Sequence, residues 1–538
     1  MRSCQKWLIL PAFLLLFILP MNIHADTMLT ENKEQVAAQP TVVGKGKAGL
    51  YGKGGNGNDE TPGEWYAGDT PPNLLPNAPI LLFVPGLNNV AQIWWEENNM
   101  YQTAFDAGYQ TAFVQLHDAG GESADMWDNG ELLAEKINEI AAHFDHQPIT
   151  IIAYSKGGVD TQTALTYFGV QDKVDQVITL SSPHHGSQLA DLAYSFWAGW
   201  LADLIGMQGD GTYAMETGYM AHFRSITDPE PLASYHHYYT LGGTDWGSAF
   251  SSNWFGGMYL SSYGPNDGVV TTDSSKLPGA QELAIGDWNH TSIRTGVTFP
   301  VFENYLSSAN VQKQASQRII PVDTIEKNNH HANRWIHGGP LEITGMHEIE
   351  IPIEDQVQET KLQIMSAKPL TDFQLVNEDG QEVPVTVTSG QEMEGYFPNA
   401  YIYQVNIQQP ASDELKLRFH SEKENAYLLV ADYQAANQLS VKRATTLLGP
   451  MSGGIQYELK PESSGFDMDK WNVTYHVMES GNPASIKTWT MNGKAGLTKH
   501  LTLAKEEEVY NITIDIEGKT TSGSTFKRTY IDTIYTGK

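Results

Sequence analysis

The sequence predicts a parallel α/β domain followed by all-β modules. Between residues 79 and 306, short apolar runs alternate with helical patterns. This alternation is typical of a parallel sheet with helices on both faces. Beyond about residue 340 the apolar residues recur at every second position, as in Ile349, Ile351 and Ile353. That spacing indicates half-buried strands.

Residues 1–25 have the pattern of a cleaved signal peptide. Arg2 and Lys6 precede a nearly continuous apolar run, and Ala25 stands at the expected cleavage site. A membrane anchor is the alternative, but the run is short for a span and no basic cluster follows it. We therefore predict secretion. The only cysteine, Cys4, would leave with the signal, and a cysteine-free secreted chain resembles the exoproteins of Gram-positive bacteria.

The charge excludes one class of partner. The formal net charge is −30, and it becomes −32 once Arg2 and Lys6 are removed with the signal. Such a chain is repelled by phosphate backbones, so we expect no nucleic-acid partner.

The 538 residues are too many for one hydrophobic core, so several domains are expected. The composition predicts these segments in chain order: a signal peptide (1–25), an irregular Gly- and Asn-rich lead-in (26–75), an α/β domain (76–310), a polar linker (311–340) and two sandwich-like β modules (341–440 and 441–538).

Six apolar runs in the α/β domain are strand candidates: 79–84, 111–116, 148–153, 176–181, 235–242 and 281–285. The clearest helical pattern covers 131–144, where the apolar residues share one face. Residues 187–232 interrupt the alternation and predict a helical insertion.

The strand at 148–153 leads directly into a turn that contains Ser155. The turn reads Ala153-Tyr-Ser-Lys-Gly-Gly158, with small residues on both sides of the serine, and a helical pattern follows. A serine in a sharp strand–turn–helix is a nucleophile elbow, which holds the hydroxyl at the edge of the sheet. We therefore predict that Ser155 is a nucleophile and not only a turn residue.

A serine nucleophile needs a base and a carboxylate. Where the serine lies on an elbow of a parallel α/β sheet, the order along the chain is serine, acid, histidine. Asp267 lies in a tight turn beyond the strand at 235–242, and His290 lies just past the strand at 281–285. We predict that these two complete the triad. Asp245 and Asp273 remain alternative acids.

The oxyanion of the tetrahedral intermediate needs two backbone donors. The residue after the nucleophile, Lys156, supplies one N–H group. The loop after the first core strand, Val84-Pro-Gly-Leu-Asn-Asn89, supplies the other, which we predict to be the N–H group of Leu87.

These motifs resemble the true-lipase branch of the α/β-hydrolase family, in particular secreted Bacillus-type lipases and esterases with an Ala-x-Ser-x-Gly elbow. The matching segments are Phe83-Val-Pro-Gly-Leu87, the elbow, Ile178-Thr-Leu-Ser-Ser-Pro-His-His-Gly-Ser187, Asn266-Asp-Gly-Val-Val270 and Asn289-His290. The resemblance implies an α/β-hydrolase fold with a helical lid insertion. It also implies that the chain is a triacylglycerol lipase or carboxylesterase that acts through an acyl-enzyme.

The chain departs from this pattern at three places. Pro85 stands where lipases usually have histidine, and Lys156 replaces the common methionine. Thr291 follows His290, where calcium-stabilised relatives carry an acidic residue.

His117 and Asp118, with Asp125 and Asp128, could suggest a metal site, but a strand-end loop is the favoured interpretation. We predict no metal and no cofactor.

Phe196, Trp197, Trp200 and Leu204 form an apolar stripe within the insertion. We predict that this stripe packs over Ser155 as a lid and lines the acyl pocket. The insertion is then either a mobile lid or a fixed wall of the acyl pocket.

The expected partner is a lipid or another ester at an interface, and the β modules are candidates for binding an insoluble substrate or surface. Two alternatives remain. The first is an extracellular polyester depolymerase of the polyhydroxyalkanoate type, and the second is a non-catalytic surface-binding protein on a hydrolase scaffold.

Overall fold

The computed structural model describes residues 36–46, 60–121, 123–249, 251–306, 330–391, 400–410, 415–447, 453–503 and 507–537. The predicted signal peptide lies outside the described residues. Among the described residues, no helix combines the length and the apolar character needed to cross a membrane.

The amino-terminal half is built on an eight-stranded sheet with the order β1-β2-β4-β3-β5-β6-β7-β8. Its strands are β1 (Thr41–Gly44), β2 (Trp65–Ala67), β3 (Ile80–Val84), β4 (Thr111–Val114), β5 (Ile149–Tyr154), β6 (Val174–Leu180), β7 (His237–Gly243) and β8 (Gln281–Gly286). Strands β3 to β8 run parallel, and β1 and β2 extend the sheet antiparallel at one edge. These first two strands fall inside the lead-in that the sequence predicted to be irregular.

Helices cover both faces of the sheet, as the alternation predicts. In the described residues they are α1 (Met100–Asp106), α2 (Met126–His143), α3 (Gly157–Tyr167), α4 (Gln188–Ala193), α5 (Gly199–Leu204), α6 (Asp210–Ala214), α7 (Thr217–Thr227), α8 (Ser252–Leu260) and α9 (Phe299–Phe302). Single 3-10 turns lie at Ala91–Trp94, His117–Gly120, Gln171–Lys173, Pro231–Ser234, Ser292–Arg294, Gly296–Thr298, Glu303–Tyr305 and Gly493–Leu497.

Alternate side chains of β3 enter two separate cores. Leu82 packs in the cluster that contains Ile137 of α2, whereas Phe83 packs in the cluster that contains Phe105 of α1. Because both faces are covered, β3 and β5 are buried along their whole length.

The carboxy-terminal half consists of antiparallel strands in four sheets. The strands are β9 (His330–His331), β10 (Arg334–Leu341), β11 (Gly345–Ile351), β12 (Glu359–Ser366), β13 (Leu370–Val376), β14 (Glu382–Val383), β15 (Val387–Gln391), β16 (Tyr401–Gln408), β17 (Leu415–Ser421), β18 (Asn425–Gln434), β19 (Leu439–Leu447), β20 (Gly453–Pro461), β21 (Phe466–Glu479), β22 (Asn482–Asn492), β23 (Thr498–Thr502), β24 (Glu508–Thr520) and β25 (Thr525–Thr536). The sheets β10-β18-β12-β16-β15 and β11-β17-β13-β14 share one core, and the sheets β23-β20-β19-β9 and β22-β21-β24-β25 share another.

The boundary of the first β module differs from the prediction. All but the last residue of β10 lie within the predicted linker (311–340), yet the strand pairs with β18 along its full length. The glycines and the proline near its end, Gly338 to Pro340, conceal the strand pattern in the sequence. Strand β9 also lies within the predicted linker and pairs with β19 of the second module.

The β modules pack against the helical insertion (187–232). One apolar cluster joins Leu189 and Leu201 of the insertion to Ile336, Leu428 and Ile531 of the β modules. The insertion is therefore covered by the C-terminal half of the chain.

Asp191 of α4 is a buried carboxyl in this interface, with 2% of its surface exposed. Its Oδ1 accepts hydrogen bonds from the Thr217 N–H group and the Thr533 hydroxyl, both at 2.8 Å. Burial raises the pKa of Asp191 to about 7, although these hydrogen bonds oppose the shift.

We predict that Asp191 makes the protein less stable as the pH rises. Between the unfolded pKa of about 4 and the folded pKa of about 7, the unfolded chain binds fewer protons than the folded chain. The free energy of unfolding therefore decreases across that range. Replacement of Asp191 by Asn removes this contribution. The fall in melting temperature from about pH 5 to about pH 8 should be smaller in the variant than in the wild type.

Asp203→Asn is the matched control, because Asp203 is an exposed carboxylate of the same insertion. Its pH profile should follow the wild type. Parallel profiles for Asp191→Asn and the wild type would contradict the prediction.

Candidate active site

Ser155 occupies the tight turn between β5 and α3. Its backbone is left-handed, with a φ of +53°, a conformation that costs a residue other than glycine about 1–3 kcal/mol. A Cβ atom on Gly157 would collide with the Pro85 carbonyl oxygen, and one on Gly158 would collide with the Ser182 side chain. The glycines after the serine are therefore required by close packing of the turn.

His290 lies between Ser155 and Asp267. Its Nε2 is 3.0 Å from Ser155 Oγ, and its Nδ1 is 2.6 Å from Asp267 Oδ2. At most 1% of each of the three residues is exposed. A carboxylate only accepts hydrogen bonds, so Nδ1 donates to Asp267 and Nε2 is left to accept from the serine hydroxyl.

Asp267 is held in place independently of the histidine ring. Its Oδ1 accepts hydrogen bonds from the N–H groups of Val269 (3.0 Å) and Val270 (2.8 Å). Its backbone carbonyl accepts the N–H group of His290 at 2.9 Å. The loops after β7 and β8 are thus tied together at the point where the acid meets the histidine.

The two alternative acids lie elsewhere. Asp245 accepts a hydrogen bond from the Asn289 side chain at 3.4 Å. Asp273 pairs with Lys276 at 2.8 Å, with 75% of its side chain exposed. Of the three candidate acids, Asp267 is the one that contacts His290.

The loop after β3 runs directly against the serine. A Cβ atom on Gly86 would lie 2.7 Å from Ser155 Cβ, and the next residue, Leu87, lines the same cavity as Ser155. On the other side, Lys156 leads into the first turn of α3, whose positive dipole end faces this region. The backbones of both predicted oxyanion donors therefore flank Ser155.

Ser155 and His290 open onto a cavity of about 770 Å³. Its apolar wall includes Leu87, Leu189, Met207, Met215, Val269 and Val270. Polar and charged residues also line it, among them Asn88, Gln92, Glu96, Asn253 and Arg294. The cavity can therefore hold an apolar chain beside a more polar group.

The predicted lid residues occupy other positions, and that prediction is wrong. None of the four predicted lid residues lines the cavity formed by the described residues: Phe196, Trp197, Trp200 and Leu204. Trp200 is 60% exposed and Leu204 is 53% exposed.

Phe196 and Trp197 contact the β modules instead. The Phe196 ring stacks on His476 with centroids 4.0 Å apart, and Trp197 stacks on His337 at 4.7 Å. Trp197 Nε1 donates to the Asp515 carboxylate, at 3.0 and 3.1 Å from its two oxygens. Their apolar surface is therefore partly buried against the β modules and does not lie over Ser155.

The sequence analysis missed the insertion residues that do line the cavity. Met207 lies between α5 and α6, and Thr212 and Met215 lie in or beside α6. These segments are too short to give a helical period, so no pattern distinguishes their cavity side.

The residues considered for a metal site have other contacts. The Asp125 side chain caps α2 by accepting the N–H groups of Trp127 and Asp128. Asp118 is 1% exposed and accepts a hydrogen bond from the Asn129 side chain. Among the described residues, no group of three or more His, Cys, Asp or Glu side chains could hold a metal ion.

The comparisons with known proteins agree with this architecture. The sequence model of the α/β-hydrolase fold matches residues 79–205. The crystal structure of the Bacillus licheniformis lipase BlEst2 in its propeptide form is 31% identical, with a TM-score of 0.72. The match covers 88% of this chain and 98% of that one.

The chain belongs to the α/β-hydrolase family. The same lipase in its mature form is 45% identical to this α/β hydrolase, over 46% of this chain and all of that one, with a TM-score of 0.44. Triacylglycerol lipase 2 of Saccharomyces cerevisiae is 26% identical over 164 residues, which are 30% of this chain. The match spans half the length of that curated relative. The named relatives are thus lipases, the carboxylic ester hydrolases of the family.

Proposed function

We propose that the protein is a secreted serine ester hydrolase, a lipase or carboxylesterase, that works through an acyl-enzyme. The observation that carries this proposal is the buried hydrogen-bond chain from Asp267 through His290 to Ser155. That chain ends at a cavity with an apolar wall. Membership of a family whose named relatives are lipases supports the same reaction.

In the first half of the reaction, Ser155 Oγ attacks the ester carbonyl while His290 Nε2 takes its proton. The imidazolium that forms is stabilised by Asp267, whose carboxylate holds the ring in one tautomer. His290 then gives the proton to the leaving alcohol. In the second half, His290 activates a water molecule, which releases the acid and regenerates Ser155.

The negative charge that develops on the carbonyl oxygen needs donors already in place. The N–H groups of Leu87 and Lys156 are assigned this role because their backbones flank Ser155 on opposite sides.

The buried position of Ser155 bears on the substrate. With 1% of Ser155 exposed, an ester must enter the cavity to react. This supports our proposal of a lipase or carboxylesterase that binds a single acyl chain, with the polyester depolymerase as the alternative.

Removal of any triad member should abolish hydrolysis of p-nitrophenyl butyrate without unfolding the protein. For Ser155→Ala and His290→Ala we expect kcat to fall by about 10⁴-fold or more, and by similar factors because the triad acts as a unit. Asp267→Asn should lose about 10⁴-fold, because an amide favours the wrong tautomer of His290.

Asp245→Asn and Asp273→Asn are the matched controls and should keep nearly full kcat. Normal turnover in Ser155→Ala would overturn the proposal. In a second assay, faster hydrolysis of a polyhydroxyalkanoate film than of an emulsified triglyceride would favour the depolymerase.

Secretion follows from the signal pattern at residues 1–25. We expect protein recovered from the culture medium of a Gram-positive host to begin at Asp26. Retention of the full-length chain in the membrane fraction would contradict a cleaved signal.

We also assign a structural role to the β modules, which is to brace the helical insertion. Besides the contacts of Phe196 and Trp197, Tyr213 of α6 donates to Glu508 at 2.9 Å. The Gly218 N–H group of α7 donates to the Thr533 hydroxyl at 2.8 Å. Helices α4, α6 and α7 are therefore fixed by the C-terminal half, while Met207 and Met215 of the same insertion line the cavity.

We propose that these modules hold the insertion in its present position and limit the entry of bulky esters. The relative described above was crystallised in a propeptide form, and 98% of that chain aligns with this one. This supports a removable segment in this chain, and we assign it to the C-terminal half because the triad and the whole eight-stranded sheet precede residue 307. The earlier expectation, that the modules bind an insoluble substrate, is the competing role.

The β modules can be removed by cleavage at a protease site engineered between Leu306 and His330. Their removal should increase hydrolysis of an emulsified long-chain ester. Hydrolysis of p-nitrophenyl butyrate should change little, because the triad and the whole eight-stranded sheet precede the cut. The uncut protein with the same site is the control. Asp515→Asn weakens the Trp197 contact in the intact chain. It should increase hydrolysis of the emulsified ester by less than removal of the β modules does. A loss of activity on the emulsion would contradict the brace and favour substrate binding by the modules.

A further inference from the structure

Beneath the Ser155 turn lies a buried polar cluster that the reaction described above does not use. Its members are Asp118, Asn129, Lys156 and Asp160, and at most 1% of each is exposed. They come from three elements: the 3-10 turn after β4, helix α2, and the start of helix α3. We call this set the Lys156 cluster.

One end of the Lys156 cluster is attached to the elbow. Lys156 Nζ donates to both oxygens of Asp160, at 2.8 and 3.1 Å. The Asn129 amide nitrogen then bridges the two carboxylates, at 3.1 Å from Asp160 and 2.6 Å from Asp118.

The other end is attached to the loop after β3. Asp118 Oδ1 accepts the backbone N–H group of Asn88 at 2.9 Å. Asn88 directly follows Leu87, and its backbone is left-handed with a φ of +55°. The cluster therefore runs from the residue after the nucleophile to the residue after Leu87.

The charge of the Lys156 cluster does not suit it to stabilising the oxyanion directly. It contains two carboxyl groups and one ammonium. Burial and the charge of Asp118 raise the pKa of Asp160 to about 7, although Lys156 opposes the shift. At neutral pH Asp160 is therefore only partly ionised, and the net charge of the cluster lies between zero and minus one, which gives a nearby oxyanion no stabilisation. Any benefit to the reaction must therefore come from the positions that the cluster fixes.

A buried network of this kind costs desolvation energy that apolar packing would not. Once all its members are hydrogen-bonded, it allows few alternative geometries. An oxyanion hole needs such rigidity, since donors must lie within a few tenths of an ångström of their productive positions.

We propose that the Lys156 cluster sets the separation of the two oxyanion donors and that Asp118 is a positioning residue for ester hydrolysis. The inference rests on the proposed function. Loss of the Asp118 carboxylate removes the hydrogen bond that fixes the Asn88 backbone, so the Leu87 donor is misplaced while Ser155, His290 and Asp267 keep their contacts.

The test compares Asp118→Ala and Asp118→Asn with the wild type on p-nitrophenyl butyrate. For Asp118→Ala, kcat should fall by about 10- to 100-fold, less than the loss of a whole oxyanion donor, while KM changes by less than about threefold. A trifluoromethyl ketone, which forms a tetrahedral adduct with the serine, should bind more weakly by a similar factor. Asp118→Asn keeps one acceptor and should show a smaller fall.

The Asn variant also separates position from charge. It removes a negative charge near the oxyanion. If Asp118 acted mainly by repelling the oxyanion, kcat would rise; if Asp118 positions the Leu87 donor, kcat falls. Glu354→Gln is the matched control, because it removes a carboxylate from another buried ion pair, in which Glu354 of the first β module contacts Arg528 of the second at 2.8 Å. It should lower the melting temperature and leave kcat unchanged.

Wild-type kcat in Asp118→Ala, or a fall in kcat with unchanged affinity for the trifluoromethyl ketone, would overturn the positioning role. Failure of both variants to fold would also overturn it, because the cluster would then be a requirement of the fold. The proposed function fails by a different result, namely the absence of Ser155-dependent turnover in the wild type.

Discussion

The left-handed backbone of Ser155 constrains the structure around it. Such a turn is unfavourable for serine, so it persists only because β5 and α3 are both buried and fix its two ends. The space around the turn is small enough that glycine is required at Gly86, Gly157 and Gly158. The same close packing brings the loop after β3 against the serine, and the loops after β7 and β8 deliver Asp267 and His290 to its other side.

The C-terminal half of the chain contacts this site only through the helical insertion. It contributes none of the described cavity-lining residues, yet it is packed on the helical insertion that does line the cavity. The contacts are mixed in chemistry: Trp197 stacks and hydrogen-bonds, Leu201 packs in an apolar cluster, and Asp191 is a buried carboxyl. An interface with a buried carboxyl is stable only within limits of pH and hydration.

Local patterns account for what could be predicted from the sequence. The elbow was recognisable because an apolar strand, a serine between small residues and a helical pattern are contiguous. Asp267 and His290 followed from chain order, since Asp267 lies in a tight turn after the strand candidate 235–242 and His290 lies just past the candidate 281–285. The environment of the aromatic stripe could not be predicted, because helical spacing shows which residues share a face but not what covers that face. Asn129 and Asp160 gave no signal either, since a polar residue on a helix is usually solvated. Strand β10 was hidden by its glycines and proline.

Covalent labelling measures most directly whether Ser155 is an activated nucleophile. The full chain is treated with a fluorophosphonate, digested and mapped by mass spectrometry. We predict one adduct per chain, on the peptide that contains Ser155, and no adduct when the protein is unfolded before treatment, because activation depends on His290 and Asp267 being in place. A folded protein that acquires no label, or is labelled at another residue with Ser155 unmodified, would contradict the account.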